Sequence, residues 1–126
     1  MVGLYAADME EILSINDLIA LAHSTAKSKG WWDDVPGVPS PNFGMLLMLA
    51  VTELAEALEE YRDGHELTEI YYGPDGKPEG VPVELADVLI RVFDMSGHYG
   101  IPLQDAIRQK MAYNEKRSYR HGGKKA

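Results

Sequence analysis

Apolar residues recur at Ile12, Ile15, Leu18, Ile19 and Ala22, every three to four positions, the period of a helix that turns one face to a core. Asp8-x-x-Glu11 has the spacing of a capping box, so a first helix is predicted from Asp8 to about Ser28, before Gly30. The stretch GWWDDVPGVPSP, from Gly30 to Pro41, breaks the pattern with three prolines and two glycines. A second helix is predicted with Ser40 as N-cap and Pro41 at the first helical position, running to about Arg62. From Asp63 to Pro82 the chain holds YYGPDGKPEGVP, which is turn chemistry and predicts a loop. A third helix is predicted from about Val83 to His98, stopping at Gly100, and a fourth from Pro102. The ending HGGKKA, within about 120–126, is expected to be disordered. No segment reads as a buried strand. The prediction is an all-α fold, a four-helix bundle in one domain spanning 1–126, assembled as an oligomer.

Length and charge narrow the partners. A chain of 126 residues supports one hydrophobic core and not two. A formal net charge of −8 argues against wrapping a nucleic-acid duplex, which needs a basic surface. It leaves room for a small phosphorylated ligand, because a divalent ion reverses the sign of one pocket. There is no cysteine, so disulfides and thiolate zinc sites are ruled out. No apolar run is long enough to span a bilayer, and the start MVGLYAADMEE is acidic where a signal peptide would be basic; a cytoplasmic location is the expectation. From Arg108 onward the balance reverses, with seven Lys and Arg residues against the single acid Glu115.

The acids themselves are placed unusually. Glu53-Leu54-Ala55-Glu56 is echoed thirty-one residues later by Glu84-Leu85-Ala86-Asp87. Residues three apart share a helix face, so each set forms a pair of neighbouring carboxylates. Glu53 and Glu56 continue a stripe that is apolar one or two turns earlier, at Leu46, Leu49 and Ala50. Glu84 and Asp87 sit beside Leu85, Val88 and Leu89. Buried like charges need raised pKa values, an arginine or a metal ion. Arg91, four residues after Asp87, can pair with one set but cannot neutralise four carboxylates. Hard divalent cations such as Mg²⁺ or Mn²⁺ prefer carboxylate oxygen, and two facing sets have room for one to three ions.

Glu-x-x-Glu on one helix, then Glu-x-x-Asp on the next, resembles the all-α nucleoside triphosphate pyrophosphohydrolases: MazG, the dimeric dUTPases, the dCTP pyrophosphatases and phosphoribosyl-ATP pyrophosphatase. The stretches KPEGVPVELADVLIRVFD, Lys77 to Asp94, and KMAYNEKRSYRHGGKKA, Lys110 to Ala126, are similar to blocks of the short single-domain MazG-like proteins often encoded by phages. The resemblance runs from Ile12 to Ala126. It implies cleavage between the α and β phosphates of a nucleoside triphosphate, with Glu53, Glu56, Glu84 and Asp87 as Mg²⁺ ligands. It also implies a homodimer or homotetramer. Glu53 or Glu56 is the candidate for taking the proton from the attacking water.

Lys110, Asn114 and Arg117 fall at i, i+4 and i+7 on one face of the fourth helix. That face is either a solvated basic surface or, as the resemblance implies, a set of phosphate ligands. Lys77, in the glycine- and proline-rich loop, is a further phosphate candidate. For the base, Trp31 and Trp32 offer flat apolar surface. Asn16, on the line Ile12, Asn16, Ile19, His23, carries a donor and an acceptor suited to a base edge or to an interhelical hydrogen bond. The MazG-like branch implies purine substrates, dGTP or GTP, while dCTP and dUTP stay open. The four histidines, at 23, 65, 98 and 121, show no paired ligand spacing and read as structural or surface groups. Two other readings are a phosphoribosyl-ATP pyrophosphatase-like enzyme and a non-catalytic helical module whose acidic face binds a basic protein.

Overall fold

The structure, a computed structural model, describes residues 12–126. The order is α1 (Ile15–Ser28), α2 (Phe43–Arg62), a two-stranded hairpin of β1 (Tyr71–Tyr72) and β2 (Pro78–Glu79), α3 (Val81–Tyr99), α4 (Leu103–Glu115) and a final turn, α5 (Arg120–Gly123). The fold class is all-α, as the periodicity predicts. α3 packs against both α1 and α2, and α4 packs against α1.

The helix boundaries correct several expectations. α1 starts at Ile15: the Ser14 hydroxyl accepts from the Asp17 N–H, and the Asp17 carboxylate accepts from the Ser14 N–H. That capping box closes the helix from behind and leaves Ile12 ahead of it, fully exposed. The Asp8 to Glu11 box lies outside the described residues. α2 starts at Phe43, because Asn42, and not Ser40, caps it by accepting from the Met45 N–H at 2.9 Å. α3 begins two residues earlier than expected, with Pro82 in the first turn, where a missing N–H costs nothing. Gly100 ends it.

The expected loop after α2 carries a short antiparallel ladder, with Tyr71 opposite Glu79 and Tyr72 opposite Pro78. Gly80 (φ 124°) joins the ladder to α3, and a Cβ there would collide with the Glu69 carbonyl. The ending, expected to be disordered, forms a turn in which the Arg120 guanidinium donates to the carbonyls of Lys124 and Lys125.

The buried apolar residues are few: Ala50 and Ala57 on α2, and Val81, Phe93 and Met95 on α3. Small residues set the helix approach. A Cβ on Gly97 would lie 2.8 Å from the His23 Cβ, so glycine lets α1 cross α3 closely. Above that crossing the Asp94 carboxylate meets His23 Nδ1 at 2.9 Å and accepts from Trp32 Nε1 at 2.9 Å. Trp32 stacks on His98 with ring centroids 3.7 Å apart. The segment between α1 and α2 is thereby pinned to the end of α3.

Candidate metal centre

On α2, Leu46, Leu49, Ala50 and Ala57 form the stripe that faces α3, and Glu53 lies within it. α3 presents Glu84 and Asp87, three residues apart, to the same space. One carboxylate oxygen from each of Glu53, Glu84 and Asp87 lies within 4.8 Å of the others, and all three residues are half-buried. Of the four acids that the sequence pattern singles out as ligands, these three converge. Glu56, one turn further on, is exposed and stands outside the trio, although its charge reaches Glu84.

Desolvation raises the Glu84 pKa first, and the charges of Asp87, Glu53 and Glu56 add to the rise, against a lowering by Lys77. Asp87 is raised by desolvation and by Glu53, opposed by Arg91 and Lys77. Lys77, on the hairpin, is therefore near enough to feel both acids of α3. Arg91 Nε donates to Glu53 Oε1 at 2.8 Å, so the arginine of the α3 pair reaches across to the acid of α2. The side chain of Glu53 is only 16% exposed. Among the described residues, neither Glu84 nor Asp87 has an ion-pair partner.

Three half-buried carboxylates with one guanidinium between them keep an excess of negative charge. Their donor set, all oxygen and anionic, fits a hard divalent ion such as Mg²⁺ or Mn²⁺. Glu53, Glu84 and Asp87 would hold it, with Glu56 close by.

The other sequence candidates are not drawn into this space by any contact. Lys110 and Asn114 are exposed on α4, whereas Arg117, expected on the same helix face, lies beyond the helix, which ends at Glu115; Lys110 Nζ and the Arg117 guanidinium lie 4.9 and 5.5 Å from the centre of the Tyr113 ring. Asn16 is exposed in the first turn of α1, not in a half-buried stripe, and its backbone N–H donates to Gln104 Oε1 at 3.0 Å. That bond is part of the α1–α4 packing. Trp31 is 76% exposed, whereas Trp32 is held by Asp94 and His98.

A second polar cluster escaped the sequence pattern. At the end of α2, Tyr71 Oη donates to the Glu60 carboxylate at 2.7 Å, and the His65 ring stacks on Tyr71 with centroids 4.5 Å apart. His65 Nδ1 meets Glu69 at 3.0 Å and Nε2 lies 3.5 Å from Glu60. The Glu69 hydrogen bond raises the His65 pKa, helped by the charges of Glu69, Glu60 and Asp63. Glu60 pushes the Tyr71 phenol up to about 12. This clasp fastens the hairpin that carries Lys77. Its one local signal is the i, i+4 spacing of His65 and Glu69; the pairing with Glu60 and Tyr71 is tertiary.

Compared with protein-family models, curated proteins and solved structures, the chain matches none.

Proposed function

We propose that the protein is a Mg²⁺-dependent nucleoside triphosphate pyrophosphohydrolase. The observation that supports this most is the convergence of Glu53, Glu84 and Asp87 between α2 and α3, half-buried and answered by a single arginine. When bound, a divalent ion supplies charge neutralisation for phosphate oxygens and acidifies water. The chain's own residues would do the rest. Glu53, Glu84 and Asp87 would hold the ion, and Glu56, exposed beside them, would accept the proton of the attacking water. Water oxygen bonds to the α-phosphorus as the bond from that phosphorus to the α–β bridging oxygen breaks, giving nucleoside monophosphate and pyrophosphate.

Lys77 fits phosphate oxygens from the hairpin side, and its charge partly opposes the rise in the pKa values of Glu84 and Asp87. Lys110 and Asn114 on α4, and Arg117 just past its end, present exposed donors and belong to the phosphate set of the same reading. Trp31, the exposed ring, is better placed than Trp32 to stack on a base. Ile12 and Asn16, both exposed, complete the base side, with dGTP or GTP as the favoured substrates and dCTP or dUTP as the competing pair. The reading includes a four-helix bundle assembled as a homodimer or homotetramer, and a role in controlling the nucleotide pool.

The test is product analysis of the eight common NTPs and dNTPs with Mg²⁺. Monophosphate and pyrophosphate formed together, without a diphosphate, are the expected result. No turnover of any of the eight would overturn the reading and leave the acids as an ion-binding face of a non-catalytic module.

A further inference from the structure

Every charged residue of α3, and its histidine, lies on one strip. Glu84, Asp87, Arg91, Asp94 and His98 follow one another at spacings of three, four, three and four, which keeps them within about 80° of the helix circumference. The strip faces the furrow between α1 and α2, since Arg91 Nε donates to Glu53 of α2 and Asp94 Oδ1 meets His23 of α1. Glu84 and Asp87 at one end belong to the acid trio. The other end is aromatic: His98 stacks on Trp32, and the His23 ring stands edge-on to both, 5.8 Å from Trp32 and 5.7 Å from His98. Asp94 stands seven residues beyond Asp87, about 10 Å along the helix axis, a separation that one nucleotide spans from phosphate to base.

Asp94 also sets the state of His23. Its Oδ1 accepts from Trp32 Nε1, a group that can only donate, and lies 2.9 Å from His23 Nδ1. Two donors therefore share that oxygen. His23 carries its proton on Nδ1 and, as a neutral imidazole, leaves Nε2 a bare acceptor. The side chains of His23 and Asp94 are 19 and 20% exposed. Nε2 has no hydrogen-bond partner among the described residues, and none of their buried polar side-chain atoms lacks one, so this nitrogen is open to solvent.

We propose that a nucleotide lies along this strip with its phosphates at the acids, and that His23 Nε2 reads its base, with Asp94 as the positioning residue that fixes the acceptor. The inference rests on the nucleotide reading of the acid trio and adds what that reading leaves open, the choice of base. An acceptor pairs with a ring N–H. Guanine carries one at N1, and uracil and thymine at N3, whereas adenine N1 and cytosine N3 are themselves bare acceptors and would oppose the lone pair of Nε2. Within each ring size the site therefore selects the keto base over the amino base: guanine over adenine, and uracil or thymine over cytosine. Trp31, the exposed chain neighbour of Trp32, stands at the same end of the strip and offers the flat contact.

Three variants separate base reading from packing. His23→Asn keeps an amide N–H for Asp94 but puts nothing in place of Nε2; Asp94→Ala removes the shared oxygen, and Asp94→Asn retains it. In the wild type, kcat/KM is expected to favour dGTP over dATP, and dUTP over dCTP, by at least about fivefold, the worth of one net hydrogen bond. His23→Asn and Asp94→Ala should bring both ratios close to one, while Asp94→Asn keeps them. A merely structural loss lowers all four rates together and leaves the ratios unchanged. Binding is read without turnover in a Trp31→Phe protein, where Trp32 is the sole tryptophan. Its emission should be quenched by dGMP at a concentration several-fold lower than by dAMP, a difference that His23→Asn removes. Wild-type ratios near one, or ratios that survive His23→Asn, would overturn the proposal. If no triphosphate is turned over, the enzymatic reading fails on its own and the monophosphate titration still decides: equal quenching by dGMP and dAMP, or none by either, overturns the base site.

Discussion

Two sides of α2 invert the usual rule in opposite directions. The side against α3 buries Glu53 among Leu49, Ala50 and Ala57, where an apolar residue would serve packing better. The side away from α3 exposes Leu47, Val51, Leu54, Leu58 and Tyr61, where polar residues would serve solubility better. Neither placement is favourable for an isolated chain: half-buried carboxylates that repel each other oppose folding, and a continuous apolar stripe in water forgoes its burial. Each inversion is a cost that something outside the chain could relieve: a cation for the half-buried acids, as proposed above, and a covering surface for the exposed stripe.

Removing one of the half-buried acids should have the largest effect. Asp87→Asn and Glu53→Gln should each lower pyrophosphate release at least about a hundredfold, since loss of an outer-shell partner alone costs 10–100-fold at metal sites. The same variants should lose the rise in melting temperature that Mg²⁺ gives the wild type by binding the folded state. Steady-state kinetics and thermal melts with and without Mg²⁺ check both.

The next largest effect is on stability and should differ between the two sides. Ala57, 8% exposed against α3, has no room for a larger side chain, so Ala57→Leu should destabilise by about 1–3 kcal/mol. Leu54→Gln, on the open side, should change the stability by less than about 0.5 kcal/mol. Urea unfolding separates these outcomes.

The smallest effect belongs to the clasp at the end of α2. His65 has a raised pKa in the folded protein, so its contribution is fully present below its ordinary value near 6.5 and is lost as the pH rises through the raised value. Amide protection of the hairpin at Tyr71 and Tyr72 should therefore weaken across that window, and His65→Asn should flatten the dependence. Hydrogen exchange as a function of pH reads it directly; equal protection on both sides of the window would show that the His65 charge does not fasten the hairpin.

What was legible in the sequence was what local spacing encodes. The apolar period located the four main helices, and acids set into apolar stripes identified Glu53, Glu84 and Asp87. Helix starts were harder, because neighbouring caps compete: Asn42, bonded to the Met45 N–H, caps α2 where Ser40 was the choice, and Ser14 with Asp17 caps α1, on grounds that only backbone geometry decides. Glu56 shared the spacing of Glu53 but not its depth, since a step of three residues rotates a side chain about 60° away around the helix. Arg91 bonding across to Glu53, Trp32 held by Asp94, and Tyr71 bonded to Glu60 are all contacts between distant segments, with no local pattern to announce them. The placement of Lys110, Asn114 and Arg117 depends on how α4 docks, which their i, i+4, i+7 spacing leaves open.

Mn²⁺ binding followed by electron paramagnetic resonance tests whether Glu53, Glu84 and Asp87 form a divalent-metal centre. Saturable loss of the free Mn²⁺ signal is expected with the wild type, with competition by Mg²⁺, and little binding to a Glu53→Gln, Asp87→Asn double variant that keeps its helical spectrum. A wild type that leaves Mn²⁺ free at millimolar concentration, or a double variant that binds as well as the wild type, would contradict it.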